Sequence, residues 1–150
     1  MKYILPFAIS LLMISSCAKK KAEKQAQEDH EIIVQYLEEN NLTAISTESG
    51  LYIVIDDLGA GVDCNSASTV TVAYTGYYTN GIIFDQSSPS GVTFSLDAVI
   101  AGWREGIPYF NEGGSGKLLI PSALAYGKDG NATIPPNTVL IFDVALLDVQ

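Results

Sequence analysis

Histidine occurs once in this chain, cysteine twice and tryptophan once, and only eight basic residues stand against seventeen acidic ones. Each scarcity removes a class of function. The lone histidine, His30, lies in an acidic N-terminal segment remote from the rest. Ser-His-Asp and Cys-His catalysis therefore have no base within the main domain. A metal centre would have one imidazole and scattered carboxylates with no calcium-loop spacing, so none is expected. From Ile45 onward only Arg104, Lys117 and Lys128 are basic, against eleven acidic residues, a formal charge of −8. That balance argues against nucleic acid as a partner, because a phosphate backbone demands cationic contacts. Asp56 and Asp57 are adjacent and alternate faces on a strand or sit in a turn, which makes a poor glycosidase pair. Gly113-Gly114-Ser115-Gly116 leads into a strand and lacks the lysine and hydroxyl of a phosphate loop, and no dinucleotide fingerprint is present. There is no internal repeat.

The N-terminus reads as an address. Lys2 gives a positive start, and Ile4 to Ile14 is an apolar run broken only by Pro6 and Ser10, too short to span a bilayer as a free helix. Ile14-Ser15-Ser16-Cys17 resembles the lipobox of bacterial lipoproteins, in which the cysteine is lipidated and becomes the new N-terminus. The expectation is a signal peptide over 1–16, then a lipidated Cys17 and tether over 17–28, with an ordinary secretory peptide as the alternative. Ala18 resembles signals for outer-membrane sorting, which would place the chain on that membrane, facing the periplasm. Processing at Cys17 would leave 134 residues, enough for one domain with a sizeable core. Cys64 would then be a single free thiol with no disulfide partner, a passive loop or partly buried group. Lys19, Lys20, Lys21 and Lys24 either rest against anionic headgroups or keep the tether solvated.

Residues 18–28 are polar, charged and alanine-rich, a spacer able to pass into helix, and residues 29–49 read as a helical extension and linker. Ile32, Ile33, Tyr36 and Leu37 form one stripe on a short amphipathic helix from His30 to Asn40. Such a helix either dimerises, docks a partner, or packs on its own domain. After Ser49-Gly50 the period changes to that of strands, with Leu51, Ile53 and Ile55 on one side and Tyr52 and Val54 on the other. A second strand, Ser68 to about Thr79, turns at Asn80-Gly81, a strong hairpin signal, into a partner that begins at Ile82. Val92, Phe94 and Leu96 read as a short strand with alternate residues inward. Ala98 to Phe110 is the helix candidate, limited to about two turns by Gly102, Gly106 and Pro108. Val99, Ile100 and Trp103 share a helical face there. Lys117 to Ile120 and Thr138 to Val149 complete the strands, the last presenting Phe142, Val144 and Leu146 on one face. Many strands and one short helix make an α+β domain over 50–150.

Tyr126 to Pro136 brings an aromatic hydroxyl and a stiffened loop next to the apolar strand that follows. This points to an apolar cleft with a polar rim. Val72-Ala73-Tyr74-Thr75-Gly76 through Phe84-Asp85-Gln86-Ser87 resembles the Tyr-Thr-Gly to Phe-Asp-Ser signature of the FKBP-type peptidyl-prolyl isomerases. Val99-Ile100-Ala101-Gly102-Trp103 resembles that family's Val-Ile-x-Gly-Trp helix. Lys117 to Ile120, Pro121 to Gly127, Ile134-Pro135-Pro136 and Leu140 to Leu147 follow in the family's order.

The resemblance implies an FKBP-like antiparallel sheet wrapped around one short helix, with a shallow apolar pocket between them and no cofactor. It places Tyr74, Phe84, Phe94, Val99, Ile100, Ile134 and Phe142 at substrate-binding positions, and Asp85, Tyr126 and Trp103 at catalytic ones, Trp103 as the floor. The Ile100 backbone N–H resembles a ligand-facing donor. Implied substrates are proline-containing peptides and unfolded exported proteins, handled by a monomeric domain. A non-enzymatic module holding apolar segments in the same groove is the alternative. Within the residues themselves, Asp85 is also a candidate ion-pair partner of Arg104, and Tyr126 a residue that merely bonds its loop. The short register between Gly91 and Ala98 makes Val92 a candidate for one of the usual aromatic places. Asn131 stands near a position where relatives often carry histidine, on a loop one residue shorter.

Overall fold

The computed structural model describes residues 10–150, with side chains from residue 17 onward. Of the segment expected to be a signal peptide, residues 1–9 and the side chains of 10–16 lie outside the described residues. Helix α1 spans Ser10–Glu39 and is followed by β1 (Ile45–Ser46), β2 (Tyr52–Asp57), β3 (Thr69–Tyr77), β4 (Ile83–Gln86) and β5 (Val92–Ser95). Helix α2 (Ala101–Gly106), β6 (Ser115–Ile120) and β7 (Leu140–Val149) complete the order. All strand pairs are antiparallel, in the order β1-β2-β6-β7-β3-β4, and β5 pairs with β3 beside β4. The hairpin expected at Asn80-Gly81 forms, with Gly81 at φ +84° and its amide donating to the Tyr78 carbonyl. No described helix is long and apolar enough to cross a membrane.

Strand periodicity divides the apolar residues between two cores. Ile53 on β2, Leu118 and Ile120 on β6, and Leu140, Phe142, Val144 and Leu146 on β7 face the concave side, where α2 lies with Trp103, Ile107 and Phe110. The alternate residues Val54, Leu119 and Ile141 face the convex side, where α1 covers them with Ile33 and Leu37. Gly106 lets α2 lie close on β6, since a methyl there would come within 2.6 Å of Leu118.

The N-terminal helix extends well beyond the apolar stripe that marks it in the sequence. Instead of starting at His30 it runs unbroken through the polar segment read as a tether. That segment has the means to be helical without an apolar stripe. Lys24 pairs with Glu28 at 2.9 Å, and Gln25 and Gln27 donate to Asp29 and Glu31, each one helical turn on. Ile33, Tyr36 and Leu37 of the stripe pack on the chain's own sheet, as one of the readings had it, while Ile32 is exposed.

Val92 is also corrected. It pairs with Val72 at the sheet edge, is 45% exposed, and takes no place in an aromatic wall.

Candidate functional site

The concave core is left unfilled at one end, in a cavity of about 430 Å³ between β3, β4, β5, β7 and the start of α2. Trp103 reaches its floor from α2 and is only 3% exposed. Its ring meets Tyr74 edge-on at 5.1 Å between centroids, Phe142 edge-on at 5.2 Å, and Phe94 at 5.3 Å. Phe84 stands edge-on to Phe142 at 5.5 Å. Edge-to-face contacts of this kind fix ring orientation as well as burying area. The rings close in because Gly76 has no side chain: a methyl there would lie 2.7 Å from both Phe84 and Phe142.

The rim is polar. The Tyr74 hydroxyl donates to Asp85 Oδ2 at 2.9 Å. Burial, reinforced by the Asp85 carboxylate, pushes the Tyr74 phenol up to about 12, so it remains a neutral donor that holds the aspartate in place. Asp85 makes no ion pair with Arg104, which instead donates to the Leu96 and Asp97 carbonyls at 3.2 and 2.8 Å and fastens the turn before α2. Within that turn Ala98, Val99 and Ile100 line the cavity. Ile100 caps α2, its carbonyl accepting from the Trp103 and Arg104 amides, while its own N–H has no backbone partner among the described residues.

Tyr126 lines the cavity from the loop between β6 and β7 and is 40% exposed. Its hydroxyl makes no hydrogen bond among the described residues, so it is open to a ligand rather than consumed by its loop. Asn131 organises that loop, its Oδ1 accepting from the Thr133 and Ile134 amides at 2.8 and 2.7 Å. A side chain with a fixed acceptor serves this turn well.

Of the residues read from sequence, Tyr74, Phe84, Asp85, Phe94, Val99, Ile100, Trp103, Tyr126 and Phe142 all line one cavity. Ile134 does not. It is 3% exposed and packs into the core beneath the loop, where it supports the wall without forming it. Ala98 was not foreseen, since a methyl group carries no chemical signal. Gly76 was legible only as part of a motif, its steric role being visible once the rings are placed.

Comparison with known proteins gives the cavity its kin. The family model for FKBP-type peptidyl-prolyl cis-trans isomerases matches residues 61–147. The isomerase FkpA of Aeromonas hydrophila is 40% identical over 141 residues, 91% of this chain and 53% of that protein. FkpA of Escherichia coli K12 is 40% identical over 143 residues, 91% of this chain and 52% of that protein. The chain thus spans about half the length of the curated relatives it matches. The crystal structure of E. coli FkpA superposes with a TM-score of 0.73 at 38% identity, covering 93% of this chain and 67% of that one. A peptidyl-prolyl isomerase from Pseudomonas syringae pv. tomato superposes at 0.74 with 29% identity, covering 85% and 95%. With its ordered motifs, its aromatic cavity and these relatives in agreement, the chain belongs to the FKBP-type peptidyl-prolyl cis-trans isomerase family.

Proposed function

We propose that the chain accelerates rotation about X–Pro bonds in exported proteins by non-covalent stabilisation of the twisted imide. The observation that carries this reading is the aromatic cavity floored by Trp103, roomy enough for a proline ring with its neighbouring residues and rimmed by the Tyr126 hydroxyl. Twisting a peptide bond breaks its resonance over a barrier of roughly 18–20 kcal/mol, and no bond has to be made or broken. Trp103, Phe94 and Phe142 hold the proline ring and strip water from the imide, which favours the less polar twisted state. Tyr126 donates to a substrate carbonyl, and the Ile100 N–H supplies a second anchor. Asp85, held by Tyr74, acts electrostatically beside the twisted carbonyl carbon. No proton transfer and no cofactor is needed.

The test is protease-coupled or NMR-detected exchange of Leu-Pro and Phe-Pro peptides with the full chain. Tyr126→Phe and Asp85→Ala are each expected to lower turnover about tenfold, less than the loss of a fully buried oxyanion donor because the rim is open. A folded parent that leaves the uncatalysed rate unchanged would overturn the activity and leave a peptide-holding module.

The same proposal places the chain in the cell envelope, lipid-anchored at Cys17 on the outer membrane and facing the periplasm. The lipobox-like Ile14-Ser15-Ser16-Cys17 supports the anchor, and the mass of membrane-extracted protein tests it. Burial of Ile33 and Leu37 of α1 against the chain's own sheet supports a monomer.

A further inference from the structure

Asp29 is the most deeply buried carboxylate among the described residues, fully enclosed where α1 meets the turn after β6. It has no cationic partner there. Its charge is met by three donors: Gln25 Nε2 on Oδ1 at 2.8 Å, and the Ser122 amide and hydroxyl on Oδ2 at 2.8 and 2.6 Å. Docking the helix does not call for this, since Ile33 and Leu37 already bury an apolar stripe, and burying a carboxylate is unfavourable unless every lone pair is used. A buried polar contact of this kind specifies position more than it adds stability.

What it positions is readable from Ser122. The Ser122 carbonyl accepts from the Ala125 amide at 3.0 Å and the Gly127 amide at 2.8 Å, the two residues that flank Tyr126. Tyr126 is therefore suspended between two amides tied to one residue, and that residue is tied to α1 by one carboxylate oxygen. The Tyr126 hydroxyl has no hydrogen bond of its own among the described residues, so its place over the cavity is set through this backbone. We propose that Asp29 is a positioning residue for Tyr126, acting through Ser122, so that docking of the N-terminal helix on the outer face of the sheet sets the rim of the cavity on the inner face. This rests on the isomerase reading of the cavity.

The experiment is a double-mutant cycle on the full chain. Asp29→Ala is expected to lower kcat/KM about fivefold in the parent, mainly through kcat, and less than about twofold in a Tyr126→Phe background, the non-additivity of residues that act through one another. Asp29→Asn, whose carboxamide oxygen still accepts from the Ser122 amide, should restore most of the rate. Equal losses in both backgrounds would mean that Asp29 serves the fold generally and would overturn the proposal. If Asp29→Ala does not fold, Ser122→Ala carries the same cycle. A readout independent of turnover is the fluorine spectrum of the 3-fluorotyrosine-labelled chain, with the Tyr126 signal assigned by Tyr126→Phe. Asp29→Ala should shift or broaden that signal and leave the Tyr74 signal in place. An unmoved Tyr126 signal overturns the coupling, whereas a moved signal in a parent without turnover upholds the coupling and overturns only the isomerase reading.

Discussion

The two faces of the sheet are built from the same strands by alternate residues, yet one is finished and the other is left open. On the convex face Ile33 and Leu37 of α1 fill the space over Val54, Leu119 and Ile141. On the concave face α2 is too short to cover the sheet, and six aromatic side chains line a cavity instead. Strand β3 shows the contrast at two tyrosines that point to opposite sides. Tyr74 donates to Asp85 at the open rim, at 2.9 Å. Tyr77 donates to Asp143 at 2.8 Å, and that aspartate is also held by Lys117 at 2.6 Å under the helix. One phenol holds a carboxylate that faces the cavity, and the other shares its carboxylate oxygen Oδ1 with a lysine away from it. Parity alone thus separates a face closed by a helix from a face on which the main core ends in an open cavity.

That separation can be broken most forcefully from the convex side. Ile33→Ala should cost about 3 kcal/mol of stability, the usual range for truncating a fully buried aliphatic side chain, while peptide turnover at a temperature where the protein stays folded falls only modestly. Denaturant unfolding alongside the exchange assay would check it, and a loss of stability below about 0.5 kcal/mol would show that the helix is not an integral part of the core. From the concave side, Gly76→Ala inserts a methyl between Phe84 and Phe142 and should cost about 2 kcal/mol, as overpacking does, but abolish measurable binding of a proline peptide. Unchanged binding would mean the rings yield without closing the cavity.

The smallest effect is alkaline. The Tyr74 phenol is pushed up to about 12 by burial and by Asp85, and Tyr77 is pushed up further by burial, with the Tyr36 hydroxyl and Asp143 adding to it. A proton held more tightly in the folded than in the unfolded chain stabilises fully below the unfolded value near 10, and that stability drains away as pH rises through the folded value. The urea midpoint should therefore decline from about pH 10 upward, and Tyr77→Phe should flatten the decline more than Tyr74→Phe. An equal response would erase the distinction between the two faces.

Much of this was legible from the chain. Alternation gave the strands, Asn80-Gly81 gave the hairpin, and the ordered motifs brought nine separated residues to one cavity. The misses have physical causes. Lys24 and Gln27 carry no apolar signal, so a reading by stripe began the helix at His30, whereas pairs one turn apart sustain it from further back. Ile134 was grouped with the wall because its motif flanks it, but side-chain direction on a loop has no period from which to be read. The bond between Asp29 and Ser122 spans 93 residues and exists only once the helix has docked.

Trp103 is the only indole in the sequence, and it lies at the floor of the cavity. Excited at the red edge of the band, beyond the absorption of the eight tyrosines, the intrinsic emission therefore originates at one place. A ligand entering the cavity changes the colour and yield of that light before any rate is measured, and global unfolding, which wets the indole, moves it to longer wavelength. Occupancy and integrity can be followed from the same chromophore, without a label.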